Sequence, residues 1–163
     1  MPDTYPPEVR SRVMKRVKRK DTGPELLLRR ALYAAGVRGW RCNRKDLPGK
    51  PDIVFARRKL TVFVDGGFWH GHPSKYWQGR SGPYWDAKIA RNQARDRRVD
   101  EEIRRSGWNV LRIWDFEIKA NLNEIVQHIK VKEILSYPPP LTLPAARGTS
   151  QRAVAETAAD YYA

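Results

Sequence analysis

Val62-Phe63-Val64-Asp65-Gly66-Gly67-Phe68-Trp69-His70-Gly71-His72 is the stretch that decides the fold. It begins as a β-branched and aromatic run, the composition of a buried strand. It then breaks at two glycines and delivers two large aromatics and two histidines beside the Asp65 carboxylate. A strand that stops at Gly-Gly and then presents Phe-Trp-His reads as an edge built to touch a ligand. Upstream lies Asp52, in Lys50-Pro51-Asp52-Ile53-Val54-Phe55, and the two segments form a β-hairpin across Ala56-Arg57-Arg58-Lys59. A turn centred between Arg58 and Lys59 sets Asp52 opposite Asp65. Two carboxylates side by side repel, and a bound divalent cation explains such a pair best. The turn lacks Asn-Gly, so the register stays open. A slip of one residue puts Val64 opposite Asp52 and turns Asp65 to the other face, leaving the Val64 carbonyl as the partner of Asp52.

Composition sets the class. The chain has 163 residues, enough for one domain with a real core. Its net charge is +14 and its pI about 10.3, which calls for a polyanionic partner, and six tryptophans among 32 basic residues suit nucleic acid. No apolar run reaches the roughly 18 residues of a membrane span, and the N-terminus lacks the apolar core of a signal peptide. The single cysteine, Cys42, excludes an internal disulfide and any multi-cysteine zinc site. These features place the protein in the cytoplasm, at the nucleoid.

Residues 8–20 combine Arg10, Arg12, Lys15, Arg16, Lys18, Arg19 and Lys20 with Val9, Val13, Met14 and Val17 at helical spacing. This is a basic amphipathic helix, either an arm on phosphates or a solvated face, and the net charge favours the arm. Thr22-Gly23-Pro24-Glu25 opens the next helix with a capping-box pattern, and Gly36 closes it. Glu25 heads its inward stripe, either as the capping acid or as a carboxylate at the edge of a metal site. Trp40 to Arg44 reads as a first strand. Residues 73–84 form an aromatic and basic loop, suited to stacking on bases or equally to a rigid surface cover.

A long helix runs from Trp85 to near Ser106. Its buried stripe reads Trp85, Ile89, Asn92, Asp96, Val99, Ile103. Asn and Asp in the middle of a buried face must find partners, so they brace a site or cap a backbone. Asn109 to Trp114 is a strand, and strand, helix, strand implies a parallel neighbour in the sheet. A final amphipathic helix spans residues 121–134. From Ser136 the chain turns rich in Pro, Ala, Ser and Thr and reads as a flexible tail. The organisation is thus an arm helix over 1–20, a central domain over 21–135 and a tail over 136–163.

Pro51-Asp52, the Val62–Gly66 strand, Phe68-Trp69-His70, Tyr84-Trp85, Lys88, Asn92, Arg95-Asp96-Arg97-Arg98 and Gly107-Trp108-Asn109-Val110-Leu111-Arg112-Ile113-Trp114 stand in an order that resembles the very-short-patch repair (Vsr) endonucleases. The resemblance covers roughly residues 10–135. It implies an α/β fold of the restriction-endonuclease-like (PD-(D/E)xK) type, a mixed sheet flanked by helices. It also implies a Mg2+-dependent nick in one strand of double-stranded DNA, next to the T of a T·G mismatch, leaving 5′-phosphate and 3′-hydroxyl. By position, Asp52 and the main-chain carbonyl of Val64 resemble the metal site, which favours the slipped register. His70 matches the catalytic histidine and Glu25 an acid that holds metal-bound water; Asp96, read from its helix stripe as a brace, joins them as a catalytic candidate. Phe68, Trp69 and Trp85 resemble aromatics that wedge beside the mismatch, and Met14 a wedge from the other groove. Asn92 and Arg95 fall among the DNA-contacting positions.

The chain also departs from the pattern. Relatives often hold a structural zinc where this sequence has Gly67, Ser74 and Phe116. Only His72 remains, and one histidine does not make a zinc site, so zinc is not expected and packing must hold the loop. Asp65 stands where some relatives have His, which leaves its catalytic share open. A monomer suffices for a single-strand nick, with mismatch-repair proteins as expected partners. Two other readings remain: a nuclease of this fold with a different target, and a DNA-binding module with an inactive core.

Overall fold

The computed structural model describes Glu8, Ser11 and Arg12, which are helical, and residues 20–135. The remainder of the expected arm, with Met14, and the expected tail from residue 136 lie outside the described residues.

The first described long helix, α1 (Gly23–Ala34), follows Thr22 with Pro24 in its first turn and buries Glu25, Leu28 and Leu32. Residues 40–44 do not form the expected strand. Arg41 makes an isolated bridge to Val54, and Asn43, at a left-handed φ of 50°, turns the chain away. The hairpin follows, from β1 (Ile53–Phe55) to β2 (Leu60–Asp65). Its loop is a 3-10 turn over Ala56–Arg58 plus Lys59 in the left-handed region, closed by Lys59 N–H donating to the Ala56 carbonyl at 3.2 Å. A four-residue loop centres between Arg57 and Arg58, so Ile53 pairs with Val62 and Phe55 with Leu60.

Both registers considered from sequence are therefore displaced, the first by two residues and the slipped one by one. A two-residue displacement preserves the faces. Asp52, Phe63 and Asp65 stay on one side of the sheet, and Ile53, Phe55, Leu60 and Val62 on the other.

Next come α2 (Pro83–Arg105) and β3 (Asn109–Trp114). β3 runs parallel to β2, from Leu60 opposite Asn109 to Asp65 opposite Trp114, as the strand–helix–strand order requires. The sheet order is β1-β2-β3, with β2 in the centre. The chain ends its described part in α3 (Asp115–Ala120) and α4 (Leu122–Leu135). α3 is too short for periodicity to reveal. It is set by Asp115 and Glu117, whose carboxylates accept the Phe116 and Trp114 amides.

Leu28, Leu32, Ile53, Phe55, Leu60, Val62, Ile118 and Ile129 form the main core, between the sheet and α1, α3 and α4. Each such side chain contributes about 1.5–3 kcal/mol by leaving water. α2 covers the opposite face and buries Trp85, Ile89 and Ile103. That face carries Asp52 and Asp65, so the polar stripe of α2 lies over the sheet's acids. Among the described residues no helix is long and apolar enough to cross a membrane.

Candidate active site

A cleft of about 1390 Å³ opens at the end of β2. Its lining includes Glu25, Asp52, Asp65, His70 and Asp96, and also Lys20, Lys45, Lys50, Lys88 and Arg95. Acids with a histidine among cations suit a phosphate backbone brought to a reactive centre.

Asp52 precedes β1 by one residue. Its Oδ2 accepts the Val64 N–H at 2.7 Å. Within a strand, a residue's N–H and C=O project to the same edge, so the Val64 carbonyl leaves β2 on the Asp52 side. Asp52 makes no ion pair among the described residues. Burial pushes its carboxyl up to about 6, opposed by the Val64 hydrogen bond and reinforced by the charges of Glu25 and Asp65. A buried carboxylate with no paired cation, beside a carbonyl oxygen, is an oxygen donor set that fits a hard divalent ion.

Glu25 is 4% exposed and already engaged. Its carboxylate accepts the Asp21 amide and the Thr22 hydroxyl, each at 2.8 Å, and Arg29 at 2.9 Å. The expected capping box does not form: Thr22 donates its hydroxyl to Glu25 and caps no helix N–H, and Glu25 takes the amide of the residue before the N-cap, in a carboxylate that also lines the cleft.

The loop after β2 folds into tight turns. His70 N–H donates to the Gly66 carbonyl at 3.1 Å and His72 N–H to that of Gly67 at 2.8 Å. Gly71 lies at φ +70°, and a Cβ there would fall on the Gln93 amide and 2.9 Å from Ile89, so only glycine lets the loop rest on α2. Three side chains of α2 hold that loop. Asn92 Nδ2 donates to the Trp69 carbonyl at 2.9 Å, Gln93 Nε2 reaches the His70 carbonyl at 3.4 Å, and Asp96 Oδ2 lies 2.6 Å from His70 Nδ1. Asn92 and Asp96 are the braces the buried stripe called for. Gln93 escaped the sequence reading, because it lies one position off that stripe.

His70 Nδ1 also lies 3.5 Å from Asp65 Oδ1. Both neighbours accept hydrogen bonds, so the proton is assigned to Nδ1, which leaves Nε2 to exchange protons. Burial raises the Asp96 carboxyl, but the His70 hydrogen bond and the charges of His70 and Arg112 outweigh it and hold it below the usual range. Arg112 lies within β3. Here it grips both oxygens of Asp65, at 3.0 and 2.8 Å. A lone charge in the otherwise apolar run Val110-Leu111-Arg112-Ile113-Trp114 is its mark in the sequence, though its partners lie outside any local pattern.

The aromatics form one cluster. Phe68 packs edge-on to Trp69 and Trp85, with centroids 5.0 and 5.6 Å apart. Trp85 is 9% exposed and lies beneath the other two, while Phe68 and Trp69 are half-buried at the surface. Lys88 Nζ sits 5.5 Å from the Trp69 ring. Arg95 is exposed and leans on Asp96 Oδ1 at 3.2 Å.

The positions that correspond to a zinc site do converge, but around a ring. His72 packs edge-on between Trp114 and Phe116, at 4.7 and 4.9 Å, and its Nδ1 lies 2.9 Å from Ser74 Oγ. A Cβ on Gly67 would lie 3.0 Å from the Phe116 ring. One imidazole, a hydroxyl and a phenyl do not fit zinc.

A family model described as "DNA mismatch endonuclease Vsr" matches residues 2–76. The chain is 43% identical over 120 residues to the type II nicking enzyme V.XorIIP of Xanthomonas oryzae pv. oryzae, covering 72% of this chain and 88% of that one. It is 39% identical over 141 residues to the type II nicking enzyme V.NmeDIP of Neisseria meningitidis serogroup C, covering 82% and 95%. With the DNA mismatch endonuclease Vsr of Escherichia coli K12 it shares 31% over 123 residues, covering 74% and 78%. Among solved structures it resembles the homing endonuclease I-Bth0305I catalytic domain, at a TM-score of 0.50 and 18% identity, over 72% of this chain and all of that one. That likeness bears on the fold, which is restriction-endonuclease-like. The sequence identities, which extend over 72% to 82% of the chain, establish that it belongs to the Vsr DNA mismatch endonuclease family and is a DNA endonuclease.

Proposed function

We propose that the protein is a Mg2+-dependent mismatch endonuclease that nicks one DNA strand beside the T of a T·G mismatch. The observation that carries this reading is the placing of Asp52, with its uncompensated charge, in the same cleft as the Asp96-braced His70. Asp52 and the Val64 carbonyl would hold the cation. When bound, the cation supplies Lewis-acid charge for the phosphate and lowers the pKa of water. His70, with Nδ1 committed to Asp96, moves a proton through Nε2. Glu25, held by Thr22 and Arg29, adds a fixed acceptor at the rim. Lys50, Lys88 and Arg95 meet the phosphates, and Phe68 and Trp69, backed by Trp85, press on the base stack.

A labelled duplex with one T·G mismatch, beside its matched T·A twin, tests this with Mg2+ and then with EDTA. A Mg2+-dependent nick next to the T in the mismatched duplex alone is the expected result. Equal cutting of both duplexes would leave a nuclease with another target. That second reading is favoured by one observation, the names of V.XorIIP and V.NmeDIP, which specify nicking without a mismatch.

A further inference from the structure

We propose that Arg112 is a positioning residue for His70, acting by taking Asp65 away from the imidazole. This rests on the catalytic reading of His70. Two carboxylates face His70 Nδ1, Asp96 at 2.6 Å and Asp65 at 3.5 Å, and one ring N–H cannot serve both. Arg112 settles the competition. Its Nη1 reaches both Asp65 oxygens, its Nε donates to Asp100 at 3.0 Å, and its Nη2 lies 2.9 Å from Asp100 and 3.5 Å from the Asp96 carbonyl. The guanidinium also lies over the Phe63 ring, 4.6 Å from its centroid.

All three guanidinium nitrogens are thus engaged by protein acceptors, unlike the exposed Arg95 on the rim. A planar fork that spans Asp65 on the central strand and Asp100 on α2 fixes the helix that carries Asp96 against the strand that leads to His70. Without it, Asp65 is a buried, uncompensated carboxylate next to the His70 ring, and the ring N–H divides between two acceptors.

The chain has three histidines, so ring-nitrogen NMR of the full-length protein without DNA can resolve His70. In the wild type, a downfield Nδ1–H resonance that disappears in Asp96→Asn identifies the bond. Arg112→Met is expected to shift or broaden it and to lower the single-turnover nicking rate roughly 10- to 100-fold, with DNA affinity unchanged. Asp65→Leu combined with Arg112→Met removes both the competitor and its clamp, and the resonance should return. An unchanged resonance in Arg112→Met, a double variant without it, or a loss confined to DNA affinity overturns the proposal. Should Arg112→Met not fold, Arg112→Lys keeps the charge without the fork, and a wild-type resonance there overturns the proposal equally. The NMR result does not depend on substrate. A wild type that nicks no duplex would sink the catalytic reading and leave the Arg112 clamp standing on its own data.

Discussion

The Asp52 carboxylate faces the main-chain N–H of Val64 at 2.7 Å, just beyond the last pair of the hairpin ladder. That one bond ties an acid that precedes β1 to the end of β2. It does not repay the desolvation of the charge, since the carboxyl still rests at about 6 against an ordinary 3.8. The folded carboxyl keeps its proton to higher pH than the unfolded one. As pH rises from about 4 to about 6, the unfolded chain releases the proton first and stability falls. Above that window Asp52 costs about 3 kcal/mol, and below it nothing. In metal-free buffer, Asp52→Asn should therefore raise the melting temperature at pH 8 and leave it nearly unchanged at pH 3.5. Equal melting of the two proteins at pH 8 would refute the buried-charge account. Nicking by the variant should vanish while DNA binding persists.

His70 and Asp96 form the shortest of the contacts at the His70 ring, and their roles separate by substitution. His70→Ala removes the proton carrier and should lower nicking about 10²- to 10⁴-fold without weakening DNA binding. Asp96→Asn preserves shape but replaces the carboxylate with a neutral amide, whose NH2 can face the ring and favour the other tautomer. It should lose activity by a smaller factor within that range. Single-turnover rates at saturating enzyme separate this from altered affinity. Full activity in His70→Ala would remove His70 from the reaction.

Much of this site is legible in the sequence. Asp52, Asp65, His70 and the polar stripe of α2 announced themselves by residue type at a position that should hold apolar side chains. The strand–helix–strand order sufficed for the parallel pairing of β2 and β3. The hairpin register did not follow, because it depends on where a four-residue loop centres, and Ala56-Arg57-Arg58-Lys59 has no turn residue to mark it. Residues 40–44 have strand-like composition, but only Arg41 finds a ladder partner. Arg112 and Gln93 act through contacts 47 and 23 residues away in the chain, and no local pattern encodes such pairs.

Trp69 sits at the surface of the aromatic cluster with Lys88 over its ring and Trp85 behind it. A rigid support is what a wedge needs, since unstacking a mismatched step costs less than a paired one. Trp69→Ala should lower the preference for T·G over T·A duplex by about 10-fold, comparable to losing one base–aromatic stack. Lys88→Ala should weaken both duplexes alike and reduce the salt dependence of binding. Competition binding at two salt concentrations distinguishes the two effects, and a Trp69→Ala protein with intact preference would rule out the wedge.

Phe116 of α3 packs against His72 and under Lys75, both of the loop after β2. The stability of the Phe-Trp-His loop should then depend on that ring and not on a chelatable ion. EDTA should stop nicking, and any fall in melting temperature it causes should be absent in Asp52→Asn, because the only ion it removes is the one at Asp52. Phe116→Ala should lower stability by about 1–3 kcal/mol, less than for a fully buried phenylalanine because the ring is partly exposed. Gly67→Ala should also destabilise, because its Cβ would press on the Phe116 ring, which is fixed by Trp114 stacked 6.3 Å away. The two changes share one contact, so they should not add. In Phe116→Ala the Gly67 methyl would still meet the Lys75 side chain, at 2.9 Å from its Cγ, but that chain can move into the space the ring leaves, so Gly67→Ala should cost less there than in the wild type. Denaturant unfolding of the four proteins measures that coupling. Simple additivity would mean that something other than the Phe116 ring holds the loop.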